Sequence, residues 1–123
     1  MTVIVNICWV ALAALHVMPS AAAFSPGLIA RLYGVDPAGD VALLLRHRGA
    51  LFVGVIVACA WALLDAHSRR LASVLVALSM VSFLLMYVAA GRRGGALDTI
   101  ARADLVGLLP LLVVLYSSWR PQD

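Results

Sequence analysis

From Thr2 to Phe24 the chain carries no Asp, Glu, Lys or Arg, and from Leu71 to Ala90 it again carries none. Runs of about 20 apolar residues match the length of a helix that crosses roughly 30 Å of hydrocarbon. No water reaches backbone N–H and C=O groups in that layer, so a spanning chain must satisfy them internally, as a helix or a closed barrel. Two further runs are shorter: Gly49 to Leu64 is 16 residues, about 24 Å at 1.5 Å per residue, and Leu105 to Trp119 is 15. Each reaches full length only by extending N-terminally through charged residues, over Val41–Arg48 and Thr99–Asp104. The sequence therefore predicts an all-α membrane protein, an antiparallel four-helix transmembrane bundle with spans near residues 2–23, 41–65, 69–90 and 99–119, forming one domain over residues 1–123.

Composition agrees. The chain is 64% hydrophobic and only 12% charged, with a mean hydropathy of +1.04, whereas soluble domains carry about 25% charge. The lipid bilayer is thus its first partner. All basic residues are Arg and all acidic ones Asp, a bias that suggests a GC-rich bacterial genome and a multi-pass protein of the inner cell membrane. The net charge of +3 is scattered between apolar runs; it reads as topology and headgroup contact, not as a nucleic-acid surface. Cys8 and Cys59 each sit in an apolar run without a CxxC pattern and read as small buried hydrophobes, a disulfide being the lesser reading.

Alternating helix directions bring the ends of the first and third spans and the starts of the second and fourth to one side. His16, Arg46, His47, Arg48, Tyr87, Arg102 and Asp104 then share one layer near one interface. Snorkelling of the arginines to the headgroups is the bland explanation. Helical faces sort them further. From Arg46 a row at spacing four runs through Ala50, Gly54, Ala58 and Ala62, and small residues at that spacing permit close helix approach. On this reading Arg46 points into the bundle. Arg48, about 200° away on the row of Phe52, Val55 and Cys59, faces lipid and snorkels.

The first span gathers Asn6, Trp9, Ala13, His16 and Ser20 on one face, the third Ala72, Leu75, Ser79, Ser82 and Met86, and the fourth Asp104 and Gly107. Pro110 frees the carbonyl of Val106 within its span. Polar side chains in lipid turn inward and find partners, so the interior is expected to hold Asn6, His16, Arg46, Ser79, Ser82 and Asp104, with an Arg46–Asp104 pair neutralising both charges. Plainer readings stand beside these: serines bonded back to their own helix, and His16 as a satisfied neutral imidazole.

The long first loop, "SPGLIARLYGVDPAGD" (25–40), begins with a Pro26-Gly27 exit. It offers a short amphipathic turn at Leu28–Tyr33 with Arg31 toward the headgroups, turns again at Gly34 and Asp36-Pro37, and ends with Asp40 capping the second span. The second loop, Asp65–Arg70, is tight, and the third, "GRRGGALD" (91–98), is flexible and basic. Arg31, Arg46, Arg48, Arg92, Arg93 and Arg102 lie on the side of loops one and three, against Arg69, Arg70 and Arg120 opposite. The full count favours loops one and three in the cytoplasm; with Arg46, Arg48 and Arg102 set aside as embedded, the two sides are level. Trp9, Trp61, Tyr116 and Trp119 gather toward the opposite interface as an aromatic belt. Ala21-Ala22-Ala23 fits a signal-cleavage site, but no positive charge precedes the first run and the run is long for a signal, so that span is expected to be retained.

The segments "ALHVMP" (14–19), "ARLYGV" (30–35), "LLLRHRGALFVG" (43–54) and "GRRGG" (91–95) together resemble a family of small bacterial four-span membrane proteins. Members of that family often carry the label phosphopantetheine adenylyltransferase by automatic transfer. More distantly the pattern resembles the DoxX-like superfamily of four-helix membrane domains, which also groups the emopamil-binding sterol isomerases. The resemblance implies the four-span fold and carries over no site residue. The sterol isomerases use intramembrane acidic residues that these spans lack apart from Asp104. The adenylyltransferase label finds no nucleotide-binding βα unit here.

Two functions stay open. One is a pocket protein binding, or acting on, a lipid-soluble molecule such as an isoprenoid, quinone or sterol-like compound. Its candidate ligand-binding residues are His16, Arg46, His47, Ser79, Ser82, Tyr87 and Asp104. His and Asp there can exchange protons, and Arg46 can hold an anionic head or a developing oxyanion. The other is a non-catalytic accessory or assembly subunit, its charges serving as glue toward a membrane protein partner or a second copy. A small multidrug exporter would need a carboxylate in the first span, which has none. His16, His47 and Asp104 show no metal-ligand spacing, so no metal site is expected; the residues leave both cofactor and enzyme status undecided.

Overall fold

A computed structural model describes residues 2–91 and 94–121. Arg92 and Arg93 of the basic third loop lie outside the described residues. The elements are α1 (Thr2–Ala21), α2 (Pro26–Tyr33), α3 (Asp40–Leu64), a 3₁₀ turn (Ala66–Ser68), α4 (Arg69–Ala89) and α5 (Ala96–Trp119), with no strand among the described residues. Four helices are long and apolar enough to cross a membrane. α3 and α5 do run N-terminally through their charged segments, as their short apolar runs require.

α2 forms where an amphipathic turn was expected. Ser25 caps it, its Oγ accepting from the Leu28 N–H at 3.4 Å, Pro26 occupies the first turn, and Gly34 closes it in the left-handed region at φ 63°, a conformation that favours glycine. Asp40 is not the cap of α3. Gly39 takes that position, and Asp40 stands in the first turn, where a carboxylate still meets the positive end of the helix dipole.

The four long helices form a ring in the order α1, α3, α4, α5. α1 packs most extensively along α3, and the α3–α4 seam is the loosest of the four. Val5, Trp9, Leu12, Cys59, Ala62, Val76, Met80, Leu111 and Val114 are the buried centre. Two glycines permit the closest approaches. A Cβ on Gly49 would lie 2.9 Å from both the Ala23 nitrogen and the Pro19 carbonyl oxygen, and one on Gly107 would meet Leu15 and Met80 at 2.5 Å. A second cluster, Ala22, Ile29, Tyr33 and Ala42, seats α2 against α3.

Outside, Ile4, Ile7, Leu44, Leu51, Leu85 and Leu109 are exposed along the spans. An apolar outer surface of that extent is suited to lipid, since soluble monomers rarely expose such patches. Trp61, Tyr116 and Trp119 are exposed toward one end, as a belt would be, but Trp9 is fully buried in the core and does not belong to it.

Candidate functional site: a cleft between α3 and α4

Along the loose seam opens a cavity of about 580 Å³, lined by Arg48 and Phe52 of α3, Ser79, Ser82, Phe83, Met86 and Tyr87 of α4, and Leu97 of α5. It lies toward the end of the bundle that carries α2 and the α4–α5 loop. Arg48 is its cation. The guanidinium carbon lies 4.8 Å from the Phe52 ring centre, 5.2 Å from Phe83 and 5.9 Å from Tyr33, within the range of cation–π attraction. Nη1 donates to the Tyr33 hydroxyl at 3.5 Å. Burial raises the phenol of Tyr33 above its usual range while Arg48 pulls it down. Among the described residues no carboxylate lies within ion-pairing distance of Arg48.

This reverses the expected roles of the two arginines. Arg46 is exposed, its Nε donating to the Ala23 carbonyl at 3.2 Å, while Arg48 is half-buried against the cleft. The buried stripe of α3 is Ala42, Gly49, Phe52, Cys59 and Ala62, so Phe52 and Cys59 face the interior, not lipid. Small residues misled because they serve two purposes. Gly49 takes a neighbouring backbone, whereas Gly54 and Ala58 line a shallow apolar groove of about 340 Å³ on the outer side of the same seam.

The expected Arg46–Asp104 pair does not form. Asp104 is half-buried on α5 and makes no hydrogen bond or ion pair among the described residues, feeling Arg48 only through space. His47 is exposed and away from the cleft. On α4 the buried stripe is Ala72, Ser73, Val76 and Met80; Ser79 and Ser82 stand at its edge, and Leu75 and Met86 are exposed.

His16 is buried and fully engaged. Nδ1 lies 2.8 Å from the Leu12 carbonyl, Nε2 lies 3.0 Å from Ser79 Oγ, and the Phe52 ring meets the imidazole edge-on at 5.4 Å. The carbonyl can only accept, so Nδ1 carries a proton. Ser82 bonds back to the Leu78 carbonyl of its own helix. At the mouth, the Tyr87 hydroxyl donates to Asp98 Oδ1 at 2.6 Å, and Arg102 reaches Asp98 Oδ2 at 2.9 Å.

His16, Ser79, Ser82 and Tyr87 therefore converge on the cleft or its wall, while Arg46 and His47 do not. Arg48, Phe52, Phe83, Met86 and Leu97 were missed as site residues. A signal for the first two was present: an Arg–Phe pair at i, i+4 shares one helix face. Among the described residues, no three His, Cys, Asp or Glu side chains converge as metal ligands.

At the other end of the bundle, beside a polar cavity of about 220 Å³ lined by Arg69 and Arg120, Arg69 and Arg70 are tied to neighbouring helices. Arg69 donates through Nε to the Ala62 carbonyl at 2.9 Å and through Nη2 to Asn6 Oδ1 at 3.4 Å. Arg70 donates to the Ser118 carbonyl at 3.1 Å and lies over Trp119, whose Nε1 donates to Ser73 Oγ at 3.2 Å.

Four long apolar helices in an antiparallel ring, apolar outside and notched at one end, define a multi-pass membrane protein. No family model, curated protein or solved structure matches this chain.

Proposed function

We propose that the protein binds a lipid-soluble amphiphile, of isoprenoid, quinone or sterol-like character, in the α3–α4 cleft of a bacterial inner-membrane bundle whose loops one and three face the cytoplasm. One observation carries this reading: Arg48 faces a cavity of about 580 Å³ among aromatic rings, with a single long hydrogen bond to a tyrosine and no carboxylate in contact among the described residues. The volume falls within the roughly 300–1,000 Å³ of small-molecule pockets. A guanidinium presents five N–H donors, which suit a phosphate, a carboxylate or a quinone carbonyl. Phe52, Phe83, Met86 and Leu97 offer an apolar body its walls.

The test is native mass spectrometry and lipid extraction of the protein purified in mild detergent. The expected result is a retained amphiphile with an anionic or carbonyl head, lost from Arg48→Ala and kept by Arg46→Ala. Loss from both variants, or retention by neither of them nor the wild type, defeats the reading. A bundle free of any such molecule would instead favour the accessory-subunit alternative, in which Arg48 only stiffens the seam.

A further inference from the structure

Four of the six serines on the long helices bond back to their own helix. Ser20 bonds to the Val17 carbonyl, Ser73 to that of Arg70, Ser82 to that of Leu78 and Ser118 to that of Val114. Ser79 differs. Its hydroxyl meets no carbonyl of α4 among the described residues and lies instead 3.0 Å from His16 Nε2, across to α1. The Leu12 carbonyl takes the Nδ1 proton at 2.8 Å, and Phe52 holds the ring edge-on. A neutral imidazole fixed in that way turns its Nε2 lone pair toward the serine proton. Nucleophile, base and a third group orienting the base, all within hydrogen-bond reach, are the arrangement of an activated serine. Ser79 also lines the cleft that Arg48 lines.

We infer that Ser79 and His16 form a nucleophile–base pair that cleaves a carboxylic ester of a lipid held in the cleft. The inference rests on the cleft being a lipid-binding site. Ser79 Oγ attacks the ester carbonyl carbon, the C=O electron pair moves onto oxygen, and the hydroxyl proton passes to His16 Nε2. Collapse of that oxyanion breaks the bond to the alkoxy group, which takes the proton from Nε2 and leaves as an alcohol. Water then attacks the acyl-serine, giving its proton to Nε2. On the second collapse Ser79 Oγ leaves and takes that proton back, so a carboxylic acid departs and the serine is restored. Arg48, on α3 across the cleft from Ser79, supplies positive charge to the cavity in which the oxyanion develops.

The experiment is reaction of the detergent-purified protein with a long-chain fluorophosphonate, read by peptide mass spectrometry, with amphiphile retention measured on the same preparations. One adduct on Ser79 is expected in the wild type and none in Ser79→Ala. His16→Gln keeps an acceptor for the serine but cannot take up its proton, so its folded fraction should react about 10²-fold more slowly. An unmodified Ser79 in protein that retains its amphiphile overturns the pair and leaves the binding function standing. Labelled Ser79 without a retained amphiphile does the reverse. Wild-type reactivity in folded His16→Gln also overturns the pair. Should that variant fail to fold, labelling that survives Ser79→Ala overturns it just as well.

Discussion

Both ends of the bundle carry arginines near the membrane boundary, and they use them in opposite ways. Arg69 and Arg70 give their N–H groups to helix-terminal carbonyls and to Asn6, and a tryptophan covers the second. Arg48 gives one long bond to Tyr33 and otherwise faces rings and a cavity. At the first end the arginines join the helices; at the second, Gly49 packing and the His16–Ser79 and Tyr87–Asp98 bonds do so, and Arg48 is left facing the cavity. The difference teaches that a cation near a helix end is tied into the scaffold when carbonyls take its N–H groups, and keeps donors free when rings and a cavity surround it.

The largest effect should come from filling the contact that frees Arg48. In Gly49→Leu the new side chain meets backbone atoms of Pro19 and Ala23, which cannot rotate away. Overpacking of this kind costs about 3 kcal/mol or more. Gly54→Leu, where a Cβ meets nothing within 4 Å, should change stability by less than about 0.5 kcal/mol. Equal losses in detergent thermal unfolding would remove the distinction between packed and groove-lining glycines.

Next, Arg69→Ala should cost about 2 kcal/mol, since hydrogen bonds from a charged donor are lost and their acceptors stranded. Arg48→Ala should cost well under half of that while abolishing amphiphile retention. If Arg48→Ala is the more destabilising of the two, the contrast between the ends collapses. A smaller effect, about 1 kcal/mol, is expected for Trp119→Phe, which keeps a ring under Arg70 but loses the bond to Ser73.

The smallest concerns the exposed turn between α3 and α4. The His67 backbone N–H and ring beside Asp65 hold its carboxyl below the usual carboxylate range. A depressed carboxyl stabilises above its unfolded pKa, about 3.9, and that contribution fades as pH falls through the lower folded value. The melting-temperature gap between wild type and Asp65→Ala should therefore be small at pH 6 and close below about pH 4. A gap that widens on acidification would give the turn a different origin.

The bundle itself was legible because hydrocarbon thickness dictates run length, and the short second and fourth runs announced that charges would be drawn in. The face of α1 was also legible, since Trp9, His16 and Ser20 repeat at helical spacing and are buried. On α3 the same logic failed. Close helix approach needs only one or two small residues at the crossing, and Gly49 supplied the contact while Ala50 and Gly54 remained exposed. Choosing the row with more small residues turned the helix and exchanged Arg46 for Arg48. The cleft was illegible for a related reason. It exists because α3 and α4 pack loosely, a property of two helices together that no periodicity within either one displays.

α2 has a consequence for how any occupant would reach the cleft. It lies across one end of the bundle with Ile29 and Tyr33 buried and Arg31 exposed, a disposition suited to the plane of the headgroups. Tyr33 touches Arg48, so the guanidinium stands within one side chain's length of that plane. A molecule whose polar end were held there would stay level with the heads of neighbouring lipids, its tail lying along the α3–α4 seam. If the cleft binds such a molecule, loading would be a two-dimensional encounter, in which the ligand enters from the bilayer without shedding its lipid neighbours into water. Occupancy would follow the ligand's mole fraction in that leaflet, and diluting the aqueous phase at constant lipid composition would leave it unchanged.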